Sequence, residues 1–245
     1  LIQYLLEYLQ IDKKNIEQFH MNPTLSTCFS AVFHLSRVLT SDCVPKISPL
    51  IPLLNHILMK DLPMKEMATT LLLEFINTHS SVKQMRIRLE QNDCVSTLFE
   101  LFKNNPHKDQ ILMAFEEWAS HNPQIIDSFF IKKRKPFARI LVNIFTNESY
   151  PVQNQVALKL IGLCDKCKNL AEKLSRISVF IRVLINQLYK PDIEPYPELR
   201  ASLTSLILLF YQATKSPKLW NGRYNINNVI QKTTSDSSTT VQNIG

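Results

Sequence analysis

One apolar pattern occurs three times in succession between Pro63 and Leu188, at a constant offset of 43 residues. With Phe75 set under Trp118 and Ile161, the apolar positions fall into six columns without a gap: Leu72/Phe115/Leu158, Phe75/Trp118/Ile161, Cys94/Phe137/Phe180, Val95/Ala138/Ile181, Leu98/Leu141/Leu184 and Phe102/Phe145/Leu188. A weaker fourth copy precedes them, in which Leu50, Ile51, Leu54 and Leu58 stand 44 residues before Cys94, Val95, Leu98 and Phe102. Spacings of three and four within each copy are those of a helix face. A unit of this length cannot close a core alone, so each copy must bury its stripe against its neighbours.

Periods of about 40 to 47 residues built from helices are the signature of armadillo and HEAT arrays. The expected fold is therefore all-α, an armadillo/HEAT-like α-solenoid of about four to five repeats over residues 1–222. The chain holds only three glycines, which argues against Rossmann turns, phosphate loops and tight hairpins, all of which need positive φ. Prolines fall instead where helices would start, as at Pro63, Pro106, Pro123, Pro136 and Pro151,. The best-formed units run over 63–103, 106–146 and 150–189, and the second reads as helices Asp109 to Ser120, Pro123 to Phe130 and Pro136 to Phe145. Short helices over 1–20, an N-cap at Thr24 or Ser26 and an apolar face from Phe29 to Leu39 precede the array, with a proline-restricted helix starting near Pro49 or Pro52,. Residues 223–245, rich in Asn, Ser and Thr, read as an extended or disordered tail that folding can spare,.

Five cysteines at irregular spacing suit a reducing compartment, and the expected location is cytoplasmic,. The N-terminal Leu1 to Leu6 lacks the basic residues of a signal peptide and no run is long and apolar enough to span a membrane,. The sequence starts without Met inside an apolar pattern, as a piece of a longer protein would.

No residue cluster supports catalysis. The six histidines are scattered without a partnering carboxylate or nucleophile at fixed spacing,. Cys164 and Cys167 form a CxxC pair, but no second pair or nearby His completes a zinc site, and buried structural thiols are the simpler reading,. No metal or other cofactor is expected. Charge carries more information: residues 131–190 hold twelve Lys or Arg against three acids, a net of +9 in a chain that is +7 overall. The run Lys132, Lys133, Arg134 and Lys135 reads as a basic loop, either merely solvated or anion-binding,. Arg139 and Arg182 share one column of the repeat and Asn143 and Asn186 another; i, i+4 spacing puts each Arg–Asn pair on one helix face, off the packed one,. These positions resemble the asparagine ladder with which armadillo arrays clamp an extended peptide, although Ser96 and Glu100 fill the same columns one unit earlier.

The run Phe115 to Trp118, then Asn122-Pro123 and Ile125, a helix to Phe145, and Leu163 to Leu174 before Phe180 to Leu188 resembles the helical repeats that follow the kinase domain in septation-initiation and mitotic-exit network kinases. The resemblance covers roughly 100–190. It implies a non-catalytic region that docks a cell-division kinase on a spindle-pole scaffold, with a small GTPase as a further partner; no kinase signature occurs in this chain itself,. The expected function is thus a protein–protein interaction module that takes an acidic or phosphorylated peptide in a basic groove. The alternative is an RNA-binding helical repeat, which would use the same surface.

Overall fold

The computed structural model describes residues 27, 30–32, 34–35, 40–60, 65–104, 106–236 and 238–242. The expected helices over 1–20, the cap at Thr24 or Ser26 and Pro63 lie outside them. Among the described residues the chain is helical without a strand, and it divides at His121/Asn122 into two compact units.

In the first unit, α1 (Val44–Ile47), flanked by 3-10 turns, leads into α2 (Ile51–Met59), α3 (Lys65–His79), α4 (Lys83–Gln91), α5 (Cys94–Asn104) and α6 (Lys108–His121). Pro52 stands in the first turn of α2, where the missing N–H is no loss,. Helices one repeat apart pack together, α2 on α5 and α3 on α6. Asn55 ties the first pair: its Nδ2 donates to Asn92 O at 2.6 Å and its Oδ1 accepts from Thr97, 42 residues away. With so few glycines, the left-handed residue before α5 is Asp93, at φ 49°, a conformation that short polar side chains tolerate.

The second unit contains α7 (Pro123–Asn147), α8 (Tyr150–Lys166), α9 (Lys168–Ser175), α10 (Ser178–Leu188), α11 (Pro197–Ala213), α12 (Pro217–Tyr224), α13 (Ile226–Thr234) and α14 (Thr239–Gln242). α7 packs on α9 and α10, and α8 on α11. Its cross-element hydrogen bonds recur near the sequence period: Leu170 N to Asp127 Oδ1 (2.8 Å) spans 43 residues, Lys232 Nζ to Leu188 O (3.2 Å) spans 44 and Trp220 Nε1 to Ser175 O (2.9 Å) spans 45.

The structure differs from the sequence reading in three places. Pro136 does not begin a helix; it sits inside the 25-residue α7, which absorbs the expected break and the expected basic loop. A proline there costs about 3 kcal/mol. Offsetting it, Ile126, Phe130, Phe137, Leu141, Ile144 and Phe145 are all fully buried along one continuous stripe, and the rings of Phe130 and Phe137 lie 4.4 Å apart across the proline. The second difference is a register shift. Leu158 is 53% exposed and Ile161 half-buried, while Ala157 and Leu160 are buried instead. α8 begins at Tyr150, one residue earlier than the 43-residue period sets from the start of α6 at Lys108. An offset of one residue rotates a helix by about 100°, which moves the buried face one position toward the N-terminus.

The third difference is the C-terminal segment. It is helical over most of 223–242, and Ile226, Val229, Thr233 and Val241 are buried. Asn225 links α12 to α13 at φ 49°. Removal of this segment should therefore destabilise the second unit, contrary to the expectation of a dispensable tail. Gly222 lies within α12 at negative φ, and a Cβ there would meet nothing within 4 Å. Gly222→Ala is expected to raise stability by about 0.5 kcal/mol, because glycine in a helix is entropically costly; a lowered urea midpoint would count against this.

Candidate functional site

The four columns contributed by the last helix of each sequence copy are buried throughout, from Cys94, Phe137 and Phe180 to Phe102, Phe145 and Leu188. Burial of those stripes leaves the opposite faces of α7 and α10 to solvent. Lys132, Lys133, Arg134, Lys135, Arg139 and Asn143 lie exposed on α7, and Arg182 and Asn186 lie exposed on α10. Because the basic run is helical, its members diverge. Lys132, Lys135, Arg139 and Asn143 follow one another at spacings of three and four on one face, whereas Lys133 and Arg134 turn aside,. The Arg134 guanidinium donates to Ile131 O at 3.1 Å.

A cleft of about 490 Å³ opens between α7 and the start of α10, with Lys135, Arg139 and Val142 on one wall and Arg176, Ile177 and Val179 on the other. Val179 is 62% exposed. Lys135 and Arg139 have no ion-pair partner among the described residues, and Arg176 pairs with Glu172 on its own helical turn. The geometry thus brings Lys135 and Arg139 together with Arg176, and leaves Asn143, Arg182 and Asn186 outside the cleft. The Asn143 Oδ1 accepts from Asn147 Nδ2 at 2.7 Å, so part of its hydrogen-bonding capacity is spent within the helix. Arg176 was the residue that column matching missed. It belongs to the basic stretch, but it occupies the turn after α9 and has no equivalent in the repeat pattern. In the first unit the column of Asn143 and Asn186 holds an acid, Glu100, which pairs with Lys103 at 2.6 Å. The two compact units differ accordingly, at −2 for residues 1–121 and +9 for 122–245.

The CxxC thiols are poor nucleophiles. Cys164 and Cys167 are buried, at 1% and 0% exposure. Burial first, then the Asp127 carboxylate, pushes Cys167 up to about 12, and burial raises Cys164 well above the ordinary thiol range. A thiol held protonated at neutral pH neither attacks nor ligates readily. The Asp127 carboxylate is itself engaged, accepting from Leu170 N and from Asn169 Nδ2 at 2.7 Å, so it fastens the start of α9 to α7,. Among the described residues no three His, Cys, Asp or Glu side chains form a group that could hold a metal ion. No described helix is long and apolar enough to cross a membrane.

No family model, curated protein or solved structure matches the chain.

Proposed function

We propose that this chain is a non-catalytic helical-repeat module of the armadillo/HEAT type that binds an acidic or phosphorylated segment of a protein partner. Support for the repeat reading comes from packing between equivalent helices and from hydrogen bonds that span 42 to 45 residues. The observation that carries the binding reading is the cleft itself, in which Lys135, Arg139 and Arg176 surround an apolar strip of Ala138, Val142 and Val179. Guanidinium and ammonium groups at such a cleft suit carboxylate and phosphate, and the apolar strip suits a side chain beside them. In a longer protein of the kind the sequence resembles, the module would dock a cell-division kinase on its scaffold.

Charge-assisted hydrogen bonds contribute roughly 1.5 to 3 kcal/mol each. Lys135→Glu combined with Arg139→Glu should therefore weaken binding of an acidic phosphopeptide by roughly a hundredfold. Arg182→Glu should weaken it much less, since that residue lies outside the cleft. Lys132 and Lys133 should act mainly on the association rate, with an effect that fades as salt screens them. Fluorescence anisotropy with a phosphopeptide library, run beside single-stranded RNA, checks this. Equal affinities of wild type and double variant for every peptide, or a clear preference for RNA, would overturn the proposal.

A further inference from the structure

Arg176 belongs to two clefts. Beyond the one shared with α7, it also lines a second of about 720 Å³, walled by Lys215, Lys218, Leu219, Gly222 and Arg223. The two cavities together are edged by six cations, Lys135, Arg139, Arg176, Lys215, Lys218 and Arg223. One carboxylate offsets them: Glu172 pairs with Arg176 and approaches Lys215 Nζ at 3.5 Å. Lys218 and Arg223 have no ion-pair partner among the described residues and are exposed.

The floor of the second cleft is tied to the turn after α9. The Trp220 indole donates to Ser175 O at 2.9 Å and its ring meets Tyr224 edge-on at 5.0 Å. Above that floor Leu219 is 76% exposed, the most exposed large apolar side chain described. An isolated leucine on a surface needs no explanation; a leucine at the mouth of a cation-lined cavity offers an apolar contact where charge has already gathered a ligand. Gly222 leaves bare helix backbone in the same wall, with open space where a Cβ would stand, so another chain can approach closely.

We infer, resting on the function proposed above, that the two clefts form one track for a single extended acidic protein segment, whose large apolar side chain seats against Leu219. Charge complementarity names the acidic chain. The apolar end distinguishes a peptide from a nucleic acid, because single-stranded bases stack on open aromatic faces, whereas Trp220 and Tyr224 are only 6% and 8% exposed and the open contact is aliphatic.

The test uses the full chain and two fluorescein-labelled glutamate-rich peptides that differ only in one central residue, Phe or Ala. The Phe peptide is expected to bind about tenfold tighter, since a seated phenyl ring contributes that much or more. Gly222→Glu, which fills the second cleft where the fold leaves room, should abolish the difference between the peptides, while Gly222→Ala should retain it. Lys218→Glu with Arg223→Glu should weaken both peptides. Arg139→Glu should weaken both and leave the Phe preference in place. Equal binding of the two peptides to wild type, with Arg139→Glu still weakening both, overturns the two-cleft track and leaves the first-cleft reading standing. Binding that ignores Arg139→Glu, or an oligouridylate that outcompetes both peptides, overturns both.

Discussion

Asp236→Ala is expected to destabilise the second unit by about 3–5 kcal/mol, the usual consequence of removing one partner of a buried ion pair. Arg200 is 2% exposed and meets the Asp236 carboxylate through two bonds, Nε to Oδ2 at 2.9 Å and Nη2 to Oδ1 at 2.7 Å. Its remaining Nη1 donates to the carbonyls of Ile193 and Glu194, so the guanidinium links α11 to the preceding turn and to the C-terminal helices. Without Asp236 a buried cation would keep only neutral acceptors. The hydrogen bonds from Arg200, reinforced by Ser238 N, hold the carboxyl below the ordinary carboxylate range against the opposing effect of burial. A folded-state pKa below the unfolded one adds stability that is present above roughly pH 4 and lost as pH falls through the folded value. Urea unfolding followed by circular dichroism at neutral pH and near pH 3 should show the wild type losing stability in acid and Asp236→Ala losing less. A variant within about 1 kcal/mol of wild type at neutral pH would mean that the C-terminal helices are held by their apolar contacts alone.

Trp118→Ala should cost the first unit a similar amount, about 3–5 kcal/mol, because truncating a large buried aromatic leaves a cavity that the surroundings fill only in part. Trp118 is 0% exposed on α6, a helix that packs against α3 and α5. Its Nε1–H is buried with no hydrogen-bond acceptor among the described residues. A second substitution separates volume from polarity: Trp118→Phe keeps most of the ring and removes the orphan donor, so its loss should stay under about 1.5 kcal/mol. Thermal unfolding of the two variants decides between these terms. An unchanged melting temperature for Trp118→Ala would place the indole outside the core.

The sequence alone determined the helical class and most of the core. The columns headed by Cys94, Val95, Leu98 and Phe102 are buried in all three copies, because an apolar stripe at helical spacing is a local property that any packed arrangement must hide. Charge segregation was equally legible, since counting needs no coordinates. Where the chain turned out otherwise, the deciding forces act between residues far apart. Pro136 reads as a helix start by its own chemistry, yet the buried phenylalanines on either side of it, packed in the second unit, carry the helix through. The Leu158 column failed because α8 starts one residue early in the period and is rotated accordingly, a change that leaves the apolar pattern looking intact. Composition marked the C-terminal segment as polar, but Ile226, Val229 and Val241 at the right places, and one carboxylate opposite Arg200, are enough to fold it onto α11. The binding surface shows the same division. Arg139 could be found from its column, whereas Arg176 joins it, and connects the two clefts, only because the turn after α9 is folded beside α7, and proximity across a turn leaves no periodic trace in the chain.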